Sequence, residues 1–135
     1  MRIHRVLVCS SLLALAGCET ESAVVPEPDC DLVALSALMV GVQDSVSGAG
    51  IAAGSTIVVQ DGAFVDSLVV APNRTDLNNA QVHPVNVFER AGTYHITVRR
   101  SGYATWTRSG VSVTRGRCHV QTVSVTARLQ PLSAP

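Results

Sequence analysis

The sequence predicts an all-β fold, an antiparallel β-sandwich of seven to eight short strands, and three observations carry that prediction. From Leu35 onward apolar and polar residues alternate with a period of two. Clusters of Gly, Asn, Asp, Ser and Pro interrupt the alternation at short intervals, as turns between strands do. No stretch of that region repeats its apolar residues at helical spacing. A chain of 135 residues, 47% hydrophobic and 15% charged, can bury one core, so one domain is expected.

The strands follow in order. Leu38, Val40 and Val42 alternate with Met39, Gly41 and Gln43, giving the first strand one apolar face. A turn rich in Ser and Gly runs from Asp44 to Gly50. Thr56 to Gln60 and Ala63 to Leu68 flank Asp61-Gly62, read as a two-residue hairpin turn. Ala71 to Ala80, with Pro72, Asn73, Asn78 and Asn79, is expected to be a loop. Val82 to Phe88 resumes a strand, with Pro84 marking an edge or a bulge. In Thr93 to Arg99, Tyr94, Ile96 and Val98 face the core, and Thr93, His95, Thr97 and Arg99 face water. Tyr103 to Arg108, Val111 to Thr114 and Cys118 to Leu129 complete the set, with residues 131–135 left as a tail.

The N-terminus is of a different kind. Arg2 and Arg5 precede an apolar run from Val6 to Ala16, and small residues lead into Cys18, the pattern of a secretory signal peptide over residues 1–17. The run is about half of the roughly 20 residues a membrane-spanning helix needs. Leu15, Ala16, Gly17 and Cys18 resemble the bacterial lipobox. That resemblance implies that Cys18 becomes the first residue of the mature chain and carries the acyl chains that bind it to membrane lipid. Two or more chains hold a protein on a bilayer where one is marginal. Glu19 rather than Asp follows Cys18, so the inner-membrane retention signal of enteric bacteria is missing and the outer membrane is favoured. Residues 18–34 then form an acidic tether, with Glu19, Glu21, Glu27, Asp29 and Asp31 set around Pro26 and Pro28.

Charge excludes one class of partner. There is no Lys; after residue 17 eight Arg stand against ten Asp and Glu, a formal charge of −2, which offers no footprint for nucleic acid. Cys9 belongs to the discarded peptide and Cys18 to the anchor, which leaves Cys30 and Cys118. In an exported chain such a pair is read as a disulfide, because the compartment is oxidising. Closing so long a loop contributes roughly 4 to 5 kcal/mol in the chain-entropy account.

The segment Val87 to Trp106, "VFERAGTYHITVRRSGYATW", followed by "GVSV" and a last strand ending in Leu129, resembles the carboxypeptidase regulatory-like domain of the transthyretin-like (prealbumin-like) sandwich type. Asp44 with Ser47-Gly48, Ala91 to Tyr94, and Gly102-Tyr103 stand where that family carries its turn, its strand and its corner. The resemblance covers about Leu35 to Leu129, within a domain expected over residues 35–130, and implies a non-catalytic structural or protein-interaction module; no cofactor and no metal are expected. It also places Cys30 and Cys118 near the starts of the first and last strands. The hydroxyisourate hydrolase relative of transthyretin uses histidines, an arginine and a Tyr-Arg-Gly-Ser ending, whereas this chain ends Arg-Leu-Gln-Pro-Leu-Ser-Ala-Pro, so an enzyme is not expected.

Other candidates are weaker. His83, His95 and His119 have no metal-ligand spacing, and Cys118 with His119 would point to opposite faces of a strand. No nucleophile elbow or phosphate loop is present. Asp61 and Asp66 read as turn and strand-edge residues, and Asn73-Arg74-Thr75 as a chance sequon. Arg99, Arg100, Arg108, Arg115 and Arg117 read as a solvated face. Tyr103 and Trp106 form the one candidate ligand platform, for a carbohydrate or envelope polymer, against the plainer expectation that Tyr103 plugs a corner and Trp106 packs on its strand.

Overall fold

The computed structural model describes residues 30–84 and 86–132; the expected signal peptide, Cys18 and the tether up to Asp29 lie outside the described residues. Six strands occur among them: β1 (Leu38–Asp44), β2 (Ser55–Asp61), β3 (Phe64–Val69), β4 (Gly92–Arg100), β5 (Trp106–Val113) and β6 (Val123–Leu129), with one short 3-10 turn at Thr75–Leu77. They form a four-stranded antiparallel sheet in the order β3-β2-β4-β5 and a two-stranded sheet of β1 and β6. The fold is therefore an all-β sandwich.

Alternation puts the core between the two sheets. Ile57 and Val59 from β2, with Tyr94, Ile96 and Val98 from β4, are fully buried. Opposite them lie Leu38, Val40 and Val42 from β1 and Val125, Ala127 and Leu129 from β6. These are the inward residues that the period-two pattern selects. The largest is Tyr94, whose hydroxyl donates to the Arg90 carbonyl at 2.7 Å, so its one polar atom is satisfied as the ring is buried.

Four expectations are corrected. The described residues of Val82 to Phe88 form no strand; they touch β1 and the residues just before it through two isolated antiparallel bridges, Val40 with Val82 and Ser36 with Phe88. Between them one segment runs from 36 to 40 while the other runs back from 88 to 82, four steps against six, so the two fall out of step. The buried Pro84 sits inside that interval, where its missing N–H breaks no ladder. Second, Tyr103 to Arg108 and Val111 to Thr114 are not two strands. They merge into β5, which carries one more residue than β4 between the pairs Tyr94↔Val111 and Ile96↔Arg108, a bulge that sequence alternation reads as a break.

Third, β1 and β6 pair in parallel, Leu38 with Val123 through Asp44 with Leu129, in a sandwich expected to be antiparallel throughout. Parallel neighbours need a long connection, and here the whole of the other sheet supplies it. The β2–β3 turn also shifts by one residue. Asp61 pairs with Phe64, so Gly62 and Ala63 form the turn, and Gly62 alone takes a positive φ of 59°. Glycine at the first central position is the II′ arrangement.

Candidate functional site

The parallel β1 and β6 begin at the same end of the sandwich, which also holds the start of β4 and the end of β5. At this end Cys30 and Cys118 form the expected disulfide, across a sequence separation of 88 and a Cα–Cα distance of 5.4 Å. It lies before the first and last strands and ties their approaches together.

Beside the disulfide, one carboxylate joins three segments. Glu89 Oε1 accepts from the Leu35 amide at 2.7 Å and lies 2.8 Å from His119 Nδ1, while Oε2 accepts from the Val120 amide at 3.1 Å. The Glu89 carbonyl accepts from Arg115 Nη2 at 2.8 Å. Its backbone has a φ of 51°, the one positive φ at a non-glycine among the described residues. The other ring nitrogen of His119 lies 2.9 Å from Asp31 Oδ1, at ion-pair distance but outside hydrogen-bonding geometry. The Leu35 amide, followed by His119 and the Val120 amide, holds the Glu89 carboxyl below the ordinary glutamate range. The same contact with Glu89 raises the His119 pKa against a smaller opposing effect of burial, with Asp31 adding to the rise.

The opposite end carries a second carboxylate node. Asp44 Oδ1 accepts from the amides of Val46 and Ser47, both at 2.8 Å, and Oδ2 accepts from the Tyr103 hydroxyl at 2.9 Å. The amide of Ser47 is the largest influence holding the Asp44 carboxyl below its usual value. Tyr103 follows Gly102, whose φ of 81° makes the corner. The Arg100 guanidinium lies over the Tyr103 ring, 5.2 Å from its centroid, and Arg100 Nε donates to the Ala53 carbonyl at 3.1 Å. Arg100 lines an open cavity of about 340 Å³ with Ala53, Gly54, Thr75, Asn78 and Ser101.

Both residues of the expected ligand platform pack, half-buried, against the core. Tyr103 is half-buried at the corner, bound to Asp44. Trp106 opens β5 opposite Val98, on the inward face, and packs half-buried against the core. The five arginines separate: Arg99 and Arg100 end β4, Arg108 pairs with Ile96, and Arg115 and Arg117 follow β5 at the disulfide end. Each histidine has its own neighbour, Phe88 for His83, Ser109 for His95 and Glu89 for His119. Among the described residues no group of three His, Cys, Asp or Glu could hold a metal ion. No helix among the described residues is long and apolar enough to cross a membrane.

The open edge of β3 was not legible in the sequence. Among the described residues β3 pairs with β2 alone, and the alternation of an antiparallel pair turns the backbone groups of Val65, Ser67 and Val69 away from β2. Val65 and Val69 are exposed. A groove of about 320 Å³ runs along the end of this strand, lined by Leu68, Val70, Leu77 and Val82 with Arg74 and His83 at its wall. Asp66, between the two valines, accepts from the backbone and side-chain nitrogens of Asn86 at 3.3 and 3.1 Å. A carboxylate on the inner side of an edge strand discourages indiscriminate pairing.

The Glu89 node had a signal that could have been used. If Cys30 bonds Cys118, their next neighbours Asp31 and His119 are brought side by side. The chain matches no family model and none of the curated proteins with which it was compared.

Proposed function

We propose that the protein is a lipid-anchored component of the bacterial cell envelope, held by acylated Cys18 and favouring the outer membrane, whose sandwich is a non-catalytic structural or protein-interaction module. The observation that carries the interaction reading is the β3 edge, where the backbone groups of Val65, Ser67 and Val69 turn away from β2 and have no strand partner among the described residues, beside an apolar groove. An extended segment of another protein can add to such an edge through main-chain hydrogen bonds and place alternate side chains in the groove. The lipobox-like Leu15 to Cys18 and the Cys30–Cys118 disulfide support an address outside the cytoplasm. The carboxypeptidase regulatory-like assignment rests on the motifs Ser47-Gly48, Ala91 to Tyr94 and Gly102-Tyr103.

Crosslinking of tagged protein in its host, followed by mass spectrometry, tests this reading, with Cys18→Ser as the unanchored control and Val69→Lys as the edge control. One dominant protein partner, reduced by either variant, is expected. Recovery of envelope polysaccharide in its place, lost on Trp106→Ala, would replace the interaction module with a carbohydrate-binding one.

A further inference from the structure

The exposed apolar side chains are gathered unevenly. Of the eight large hydrophobic residues exposed among the described residues, Leu32, Val33, Leu35 and Phe88 stand at the disulfide end, with Leu32 fully in solvent at 103% relative exposure. They form one neighbourhood. Ser36 bridges Phe88, and the Glu89 amide donates to the Leu35 carbonyl at 2.9 Å. Nor is this a frayed tail: Cys30 is bonded to Cys118, and the Leu35 amide is held by Glu89.

We propose that this end of the sandwich rests on the phospholipid bilayer, with Leu32, Val33, Leu35 and Phe88 seated at the headgroup boundary. The proposal rests on the lipoprotein reading above. Its argument is the chain itself. Residues 18–29 lie outside the described residues and lead into Cys30, so the segment between anchor and domain enters at the apolar end. Fully extended, those residues reach about 40 Å at most, so the tether attaches at this end and holds it within that distance of the lipid. Four small apolar contacts would not hold a free domain on a membrane. A domain already tethered there experiences a high effective concentration, so the same contacts suffice to orient it. Arg115, exposed in the same region, can face lipid phosphates while keeping its bond to the Glu89 carbonyl.

Acylated full-length protein, recovered from membranes and reconstituted into phosphatidylethanolamine–phosphatidylglycerol vesicles containing brominated phosphatidylcholine, provides the test. Leu32→Trp places a fluorophore in the contact, and Val46→Trp places one at the opposite end; both positions are exposed, so the fold is retained. The residue-32 indole is expected to lose roughly half its emission to the bromines, a depth of about 5–10 Å being within their reach, while Val46→Trp behaves as the parent with Trp106 alone. Adding Val33→Ser and Phe88→Ser to Leu32→Trp should restore the emission. Equal quenching at both ends, or none at residue 32 in protein that floats with the vesicles, would overturn the bilayer contact and leave the anchor intact. Protein whose mass shows no acyl chain on Cys18 would overturn both.

Discussion

The two ends of the sandwich solve one problem with the same chemistry at different ranges. At one, Asp44 receives amides two and three residues ahead of it, a local turn in which only the Tyr103 contact comes from afar. At the other, Glu89 receives an amide from 54 residues before it and another from 31 residues after it, and His119 from 30 residues after. The first carboxylate shapes its own loop. The second fastens separate pieces of chain, so its removal should open more of the molecule.

The largest effect should come from the disulfide that sets the Glu89 end. Replacing Cys30 and Cys118 together with serine should lower stability by about 4 to 5 kcal/mol, read as the denaturant midpoint, and a loss below ~1 kcal/mol would mean that the approaches to β1 and β6 are held by their hydrogen bonds alone. Next comes the direct contrast between carboxylates. Glu89→Gln should speed amide exchange at both Leu35 and Val120 by roughly tenfold, whereas Asp44→Asn should affect mainly Val46 and Ser47. Equal spread in the two variants would erase the distinction between local and long-range nodes. At the Asp44 end, Gly102→Ala should cost about 1 kcal/mol, because its φ of 81° is unfavourable for a side chain although a Cβ there has room. A neutral result in thermal unfolding would show that the corner can relax.

The smallest effect is a pH dependence confined to the Glu89 end. His119 has a raised folded pKa, so its contribution is complete below the ordinary histidine value of 6.5 and is lost as pH rises through the folded value. Glu89 has a lowered pKa, so its contribution is present above the ordinary 4.5 and is lost as pH falls through the folded value. Stability should therefore decline as pH rises above 6.5 in the parent protein and decline less in His119→Gln. Parallel pH profiles for the two proteins would remove His119 from the node.

How much could be read in advance follows the same division. The inward set Tyr94, Ile96 and Val98, the loop around Pro72 to Asn79, and the turn after Asp44 were legible because period and turn chemistry are properties of neighbouring residues. The Cys30–Cys118 bond was legible by elimination. Glu89 read as an ordinary turn residue, because nothing near it in sequence names Leu35 or Val120 as partners. The groove beside β3 was hidden too, since an edge strand is defined by the neighbour it lacks. Trp106 shows the limit at one residue: its type fits a ligand platform, and only the register with Val98 turns it toward the core.

By itself, then, the sequence determined the class of the fold, the strand faces that form the core and the pair of cysteines left to bond. Each depends on local periodicity or on counting. Tertiary structure decided the parallel pairing of β1 with β6, the merging of two expected strands into β5 and the gathering of Leu35, Glu89, His119 and Val120 at one end. Those outcomes depend on which distant surfaces bury the most apolar area together while satisfying their backbone groups, and that comparison exists only once the whole chain has closed on itself.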